Sequence, residues 1–210
     1  MTQLNLFDEF NEPKKKTKYE LKKEAIPFSY EIRRIADNYI GRFCGTGHRP
    51  DKLGSYHKLE QSERVIVPQL VNYLQAFHSL FADSPEDKIL VISGMAQGWD
   101  TWLALAALES GICHLMVSIP CIGQESPWPP KAQERHRFIV SQADQVVIVC
   151  ENYDYDSMSL RNEYMVDESE LVLAMWNGTR GGTGNCIDYC NEVGRPYINF
   201  WEQLAPIMKL

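Results

Sequence analysis

Short, almost continuously apolar runs alternate with longer segments of mixed polarity along most of this 210-residue chain. Strands that are apolar on both faces are typical of a parallel sheet covered by helices on both sides. Strands that alternated polar and apolar positions would instead indicate a sheet with one solvent-exposed face. The runs that we predict as strands are 39–44, 88–92, 114–120, 145–150, 171–176 and 196–200.

The segments between these runs carry apolar side chains at helical spacing. A long helix is predicted over 59–81, where Pro68 predicts either a kink or a break into two helices. Strands that alternate with helices predict the α/β class, with a mostly parallel sheet and helices on both faces. Shorter helices are predicted from Trp99 to a stop at Gly111, over 132–141, over 160–169 and from a glycine-rich turn to Val193.

Composition and charge divide the chain into an arm of residues 1–25 and a domain of residues 26–210. The arm carries acidic residues first and then a block rich in lysine, a pattern typical of a flexible or loosely attached segment. The whole chain is 44% hydrophobic and 23% charged, which is ordinary for a globular protein. Its net charge of −7 gives the domain no overall electrostatic preference for nucleic acid.

Several classes of protein are disfavoured by the sequence. No apolar run approaches the roughly 20 residues of a membrane span, and the first residues show no secretory signal pattern. We therefore predict a cytoplasmic protein that does not contact a membrane. The six cysteines form no CxxC pair and have no spacing typical of zinc ligands, so we predict neither a metal nor a cofactor.

Three turns rich in glycine follow predicted strands, at 45–50, 93–100 and 176–188. Glycine accepts positive φ angles and lets a ligand come close to backbone amides. In the third turn a helix is predicted to begin, and its free amides and dipole favour an anion such as a phosphate. Because ligands of parallel α/β sheets bind at the carboxyl ends of strands, we expect the three turns to line one crevice. A glycine-rich connection without a ligand is the alternative.

The sequences of these turns resemble one protein family. Gly45-Thr46-Gly47-His48-Arg49-Pro50, Ser93-Gly94-Met95-Ala96-Gln97-Gly98-Trp99-Asp100 and Gly181-Gly182-Thr183-Gly184-Asn185 occur in this order and together resemble the SLOG superfamily, in its YspA/YpsA-related branch. The second turn is similar to that of the Smf DNA-processing proteins, and the third to that of the LOG phosphoribohydrolases. The resemblance extends over about 39–200 and implies a Rossmann-like fold and a nucleotide-type ligand.

The turns and the resemblance together predict a set of ligand-binding residues. Trp128 could stack on a base, or pack in the core or in a lid, and Asp100 could accept from a ribose hydroxyl or cap its own turn. His48 and Arg49 could contact a phosphate or a base edge, although a histidine there is more often a hydrogen-bonded loop residue. Arg180 would either add charge to the phosphate site or stay solvated. The full set is Gly45, Thr46, Gly47, His48, Arg49, Ser93, Gly94, Gly98, Asp100, Trp128, Arg180, Gly181, Gly182, Thr183, Gly184 and Asn185.

Arg161 and Asp188 are the candidates for a catalytic pair. LOG enzymes carry a catalytic Arg and the motif Gly-Gly-x-Gly-Thr-x-x-Glu, and by resemblance Arg161 matches that Arg and Asp188 stands at the Glu position. We expect Asp188 about one turn into the last helix, where it could stabilise the oxocarbenium-like state of N-glycosidic hydrolysis or activate water. Asn185 replaces the Thr, and the carboxylate is one methylene shorter. A structural salt bridge between two helices is the alternative.

Three functions remain open at this level. The first is a hydrolase or transferase that acts on an N-glycosidic bond of a nucleotide or nucleotide-sugar. The second is a non-catalytic nucleotide sensor in phage defence or stress signalling, which the departures at Asn185 and Asp188 favour. The third is a Smf-like factor that binds single-stranded DNA, against which the acidic net charge weighs. The sequence leaves the nucleotide and the oligomeric state open.

The arm carries one further candidate feature. Gln3-Leu4-Asn5-Leu6-Phe7 resembles the pentapeptide by which bacterial replication and repair proteins dock on the DNA sliding clamp. In such extended peptides Leu4, Leu6 and Phe7 would fill apolar pockets, while the Gln3 amide would fix the register. The alternative is that Leu6 and Phe7 pack against the chain's own domain.

Overall fold

The computed structural model describes residues 39–208, in which six strands form one sheet. The strands follow the order β4-β3-β2-β1-β5-β6, and every pairing between neighbours is parallel. The predicted α/β, Rossmann-like class is confirmed, and the sheet is entirely rather than mostly parallel in this part of the chain. The strands are β1 (Gly41–Gly47), β2 (Ile89–Ser93), β3 (Cys113–Cys121), β4 (Gln145–Cys150), β5 (Leu171–Met175) and β6 (Tyr197–Asn199).

Helices connect these strands, and none of those within 39–208 is long and apolar enough to cross a membrane. The first helix is continuous through Pro68, so the predicted alternative of two separate helices is wrong. Buried apolar residues before and after Pro68, such as Ile66 and Leu74, hold both halves against the same core. The helices are α1 (Leu59–Phe81), α2 (Trp99–Ser110), α3 (Pro130–Gln142), α4 (Ser157–Asp167), α5 (Gly182–Val193) and α6 (Trp201–Leu204), with a 3-10 turn at Pro50–Lys52.

Helices cover both faces of the sheet, and alternate residues of each strand point to one face or the other. Phe43 of β1 belongs to a core that includes residues of α1, α2 and α3. Cys44, the next residue, belongs to a second core that includes residues of α4 and α5. The two cores explain why the strands are apolar almost without interruption.

Two glycines of β1 allow α2 to approach the sheet closely. A Cβ added at Gly47 would overlap the indole of Trp99, and one added at Gly45 would lie 2.7 Å from Leu103 Cδ2. The Trp99 indole is fully buried, and its Nε1 donates to the Leu173 carbonyl of β5 at 2.8 Å. The first glycine motif therefore serves the packing of a helix on the sheet.

The predicted arm falls outside the described residues. The division at residue 25 and the candidate docking residues Gln3, Leu4, Leu6 and Phe7 therefore stay predictions from the sequence.

We predict that Gly47→Ala lowers the free energy of unfolding by about 1–3 kcal/mol, because the new methyl group overpacks the Trp99 ring. Urea denaturation followed by circular dichroism measures this loss. Gly182→Ala is the matched control, since a Cβ at Gly182 meets nothing within 4 Å. Equal stability of Gly47→Ala and the wild type would contradict the packing role.

Candidate functional site

A cavity of about 230 Å³ lies at the carboxyl end of β1, beside the turn that follows β5. β2, β3 and β4 lie on one side of β1 in the sheet, and β5 and β6 lie on the other side. The gap between β1 and β5 is therefore the topological switch point, where ligands of such folds bind. We call it the switch-point cavity. Its lining is Thr46, Gly47, His48, Arg49, Asp51, Lys52, Ala96, Asp100, Met158, Arg161, Asn162, Thr179, Arg180, Gly181, Gly182 and Thr183.

The start of α5 opens onto this cavity. Gly181 is the N-cap, with φ of 140°, and makes no side-chain capping hydrogen bond. The first helical bond runs from the Asn185 amide to the Gly181 carbonyl at 2.9 Å. The preceding amides, which include those of Gly182 and Thr183, have no acceptor within the helix. These amides and the positive end of the helix dipole favour an anion in the cavity.

Charged side chains reinforce that preference. Four basic residues line the cavity, against two acidic ones, Asp51 and Asp100. Within the described residues, no cluster of three His, Cys, Asp or Glu side chains is arranged to hold a metal ion. The basic residues are Arg49, Lys52, Arg161 and Arg180.

Hydrogen bonds fix the turn that leads into α5. His48 Nε2 lies 2.6 Å from Asn177 Oδ1 and 3.1 Å from the Asn177 amide nitrogen. The Thr179 hydroxyl donates to the same Asn177 Oδ1 at 2.7 Å, and Lys52 Nζ donates to the Thr179 hydroxyl at 2.7 Å. Burial lowers the pKa of His48, although its hydrogen bond with Asn177 acts in the opposite direction. His48 is thus a hydrogen-bonded loop residue that holds the turn.

Arg161 reaches the cavity from α4 and is almost completely buried. Its Nη1 donates to the Gly94 carbonyl, and its Nε donates to Asn162 Oδ1 at 2.9 Å. A Cβ at Gly94 would collide with the guanidinium, so glycine is needed there to admit the arginine. Burial lowers the pKa of Arg161, while the nearby Asp100 carboxylate acts in the opposite direction.

Asp100 is the buried acidic residue of the cavity. Its Oδ2 accepts from the Ala96 amide at 3.3 Å, so it caps the turn between β2 and α2. Burial raises the pKa of Asp100, while Arg161 and the Ala96 hydrogen bond act to lower it. A carboxyl group in this position can accept a hydrogen bond from a ligand or exchange a proton with one.

Comparison with known proteins agrees with this geometry. The family model described as the YspA SLOG family matches residues 43–189, which include β1, the switch-point cavity and most of α5. The chain belongs to the YspA SLOG family.

This SLOG chain has relatives among proteins of Bacillus. It is 27% identical over 124 residues to the uncharacterized SPbeta prophage-derived protein YoqJ of Bacillus subtilis (strain 168), and the matched region covers 51% of this chain and 72% of the relative. It is 28% identical over 147 residues to a UPF0398 protein of Bacillus thuringiensis (strain Al Hakam), and the matched region covers 66% of this chain and 75% of the relative.

Two solved structures of DNA processing protein A are similar to this chain in fold. The protein from Helicobacter pylori, described for its single-stranded DNA binding mode, superposes with a TM-score of 0.51 at 14% identity over 76% of this chain. The protein from Streptococcus pneumoniae superposes with a TM-score of 0.50 at 21% identity over 75% of this chain. The match spans only 64% and 49% of the two solved chains, so the likeness concerns the fold.

The switch-point cavity contains residues from all three predicted turns. The predicted residues that line it are Thr46, Gly47, His48, Arg49, Asp100, Arg161, Arg180, Gly181, Gly182 and Thr183. Those that do not line it are Gly45, Ser93, Gly94, Gly98, Trp128, Gly184, Asn185 and Asp188.

The predicted residues outside the cavity have other contacts. The buried Ser93 hydroxyl donates to the Asp100 carbonyl at 2.8 Å and so organises its own turn. Gly98, with φ of 97°, is the N-cap of α2, and a Cβ there would lie 2.8 Å from the His48 carbonyl. Gly184 is buried close to Trp176. These positions support the cavity without lining it.

Asp188 is not beside Arg161 in the cavity. Because α5 begins at Gly182, Asp188 is nearly two turns into the helix rather than one. The side chain is exposed, as is that of Asn185. The expectation of one turn is wrong because the helix begins within the glycines instead of after them.

Trp128 also lies elsewhere. It packs edge-to-face against His136, with ring centroids 5.4 Å apart, and both line a second cavity. The expected stacking of Trp128 on a ligand in the switch-point cavity therefore has no support in the geometry.

Sequence reasoning missed several lining residues. Lys52 follows the first turn by two residues, and its reach to Thr179 depends on the pairing of β1 with β5. Met158 and Asn162 could have been found, because Met158 lies three residues before Arg161 and four before Asn162 on α4, which are helical spacings. The missed residues are Asp51, Lys52, Ala96, Met158, Asn162 and Thr179.

The lowered pKa of His48 predicts a pH dependence of stability. The unfolded chain takes up a proton at this side chain near its ordinary pKa of 6.5, whereas the folded protein does so only at lower pH. The free energy of unfolding should therefore fall as the pH decreases from 6.5 towards the folded pKa. Urea titrations between pH 7.5 and 5, run at intervals of about half a unit, measure the slope.

His48→Gln should flatten that slope, because glutamine offers a hydrogen-bonding group to Asn177 without titrating. His57→Gln, at an exposed histidine, is the control. A slope that is the same in His48→Gln and the wild type would contradict the prediction.

Proposed function

We propose that the switch-point cavity binds the phosphate of a nucleotide or nucleotide-sugar. The observation that carries this proposal is the start of α5, which directs free amides into a cavity with four basic side chains. A helix start and nearby arginines stabilise an anion through hydrogen bonds and charge together. Membership of the SLOG family supports the same ligand class.

The contacts of the cavity also support a site that is formed before the ligand arrives. Lys52 is oriented by Thr179, and Arg161 by Gly94 and Asn162. Side chains that are already ordered lose little entropy when a ligand binds. Nucleotide binding is therefore the function that the geometry supports best, and a nucleotide sensor requires nothing more.

Gly182→Val should weaken binding of nucleoside monophosphates and diphosphates by about tenfold or more, because the side chain blocks approach to the amides. Isothermal titration calorimetry with a panel of these nucleotides measures the effect, and the matching nucleosides serve as ligands without phosphate. Asn185→Val introduces the same side chain on the same helix at an exposed position outside the cavity, and it should bind as the wild type does.

Two results would contradict the proposal. One is unchanged nucleotide affinity in a folded Gly182→Val protein, which is expected to fold because a Cβ there meets nothing within 4 Å. The other is a nucleotide affinity that a large excess of inorganic phosphate leaves unchanged, since the cavity would then make no use of the phosphate.

A second candidate is hydrolysis of an N-glycosidic bond in the bound nucleotide. The observation in its favour is that the Asp100 carboxyl and the Arg161 guanidinium line one cavity. A carboxylate can stabilise the oxocarbenium-like transition state or activate water, and an arginine can hold the phosphate. Asp100 is therefore a better candidate than Asp188 for the acidic partner of Arg161.

Hydrolysis is tested by incubation of the protein with the nucleotide panel and chromatography of the released base. Asp100→Asn should lower the rate by about 100-fold or more, whereas Asp188→Asn should retain the rate. A lowered rate in Asp188→Asn with a normal rate in Asp100→Asn would instead support the pair of Arg161 and Asp188 that the sequence predicts. Release of no free base from any nucleotide would leave the binding function alone.

Single-stranded DNA is a further ligand with a phosphate, and the Helicobacter pylori neighbour is described for binding it. The basic residues of the cavity favour a DNA phosphate as much as a nucleotide phosphate, but the chain's net charge of −7 opposes a long polyanion. A short oligonucleotide in the same calorimetric panel separates the two ligands.

A further inference from the structure

A second cavity, which we call the lateral cavity, lies between α1, the turn before α2, and α3. Its volume is about 620 Å³, within the range of roughly 300–1,000 Å³ that is usual for small-molecule sites. The residues Gln97, Gly98 and Thr101 separate it from the switch-point cavity, and the two cavities have no lining residue in common.

Two buried polar side chains line the lateral cavity without a hydrogen-bond partner. The indole Nε1 of Trp102 and both ring nitrogens of His136 have none among the residues that the structure describes. Trp102 is 0% exposed and His136 is 5% exposed. Because buried polar groups are nearly always hydrogen-bonded, three such nitrogens on two residues that line one cavity point to a ligand that pairs with them.

The chemistry of these nitrogens defines what the ligand must offer. The Trp102 indole N–H can only donate, so it requires an acceptor. Burial lowers the pKa of His136, although Glu125 opposes the shift, and a neutral imidazole has one donor and one acceptor nitrogen. A ligand that matches both residues carries acceptors and a donor on the same compact group.

Aromatic rings add a flat surface to the cavity. Trp128 is half-buried and packs edge-to-face against His136. Tyr56 and Phe138 line the same cavity while they remain 53% and 58% exposed. Rings arranged in this way favour a planar ligand, since stacking on an aromatic face does not depend on a particular pattern of substituents.

The charges around the lateral cavity balance one another, in contrast to those of the switch-point cavity. Lys131 pairs with Glu60, and Arg135 pairs with Glu63, so that ion pairs join α3 to α1. The remaining charged residues of the lining are one arginine and one glutamate. The ligand is therefore expected to be uncharged.

We propose that the lateral cavity binds an uncharged, planar nitrogen heterocycle of the nucleobase or nucleoside type. The ring stacks on Trp128, accepts from the Trp102 indole, and exchanges hydrogen bonds with His136. This site is independent of the phosphate site, because the two cavities are lined by different residues.

Calorimetry of the full-length chain with adenosine, guanosine, cytidine and uridine tests the proposal. At least one nucleoside should bind saturably, and indene, a flat hydrocarbon without hydrogen-bonding atoms, should bind at least tenfold more weakly. A large excess of inorganic phosphate should leave the nucleoside affinity unchanged, which distinguishes this site from the proposed phosphate site.

His136→Phe should weaken nucleoside binding at least tenfold while the protein stays as stable as the wild type, because the change removes only unpaired buried nitrogens. His57→Phe, at an exposed histidine outside both cavities, is the matched control and should bind normally. Trp128→Leu, at a half-buried position, should weaken nucleoside binding by a similar factor. It replaces His136→Phe as the test variant if that protein does not fold.

The proposal is overturned if no nucleoside binds saturably. It is also overturned if indene binds as tightly as the nucleosides, or if phosphate competes with them. Wild-type affinity in both His136→Phe and Trp128→Leu would overturn it as well.

Discussion

The guanidinium of Arg161 is held at the carboxyl ends of the strands with almost no contact with water. A buried cation is tolerated only when hydrogen bonds and an opposite charge compensate for its lost hydration. Here the Gly94 carbonyl and the Asn162 side chain provide the hydrogen bonds, and Asp100 provides the charge. Arg161 therefore ties α4 to the turn after β2 and forms part of the wall of the switch-point cavity.

The glycines of the site have two different physical roles. Gly47 and Gly94 lack a side chain so that the chain's own Trp99 and Arg161 can pack against the backbone. A Cβ at Gly181 or Gly182, by contrast, meets nothing within 4 Å, so the absence of a side chain there leaves the start of α5 accessible. A glycine motif alone does not distinguish these roles, because both require close approach to the backbone.

Much of the fold follows from the sequence, because buried parallel strands and the helices between them have distinct patterns of polarity. The clustering of the glycine turns also follows, since the carboxyl ends of parallel strands meet at one edge. The positions of Asp188 and Trp128 do not. Each residue by which a helix start is misplaced changes the expected direction of a side chain by about 100°. The sequence of the loop that carries Trp128 does not show that this ring packs against His136.

Strand order is the other property that the pattern leaves undetermined. Lys52 and Thr179 meet only because β5 pairs with β1 on the side away from β2. Alternation of strands and helices is equally compatible with other orders, so contacts across the switch point require the structure. The family resemblance identifies the turns but gives no side-chain distances.

The turn from Ser93 to Trp102 separates the two cavities, and its hydrogen bonds make it rigid. The Ser93 hydroxyl contacts the Asp100 carbonyl at 2.8 Å and accepts from the Met95 amide at 3.1 Å. The Thr101 hydroxyl donates to the Ala96 carbonyl at 2.9 Å. Met95 has a positive φ of 57°, which a residue other than glycine adopts only when its surroundings hold it there.

A rigid partition limits how one cavity can influence the other. Asp100 faces the switch-point cavity, and the adjacent Thr101 and Trp102 face the lateral one, so a ligand on either side contacts the same short stretch of α2. Because α2 is fixed to the sheet through Trp99, a ligand cannot displace this stretch without disturbing the core. Coupling between the cavities would therefore act through the charge and hydrogen bonds of Asp100, and not through movement of the helix.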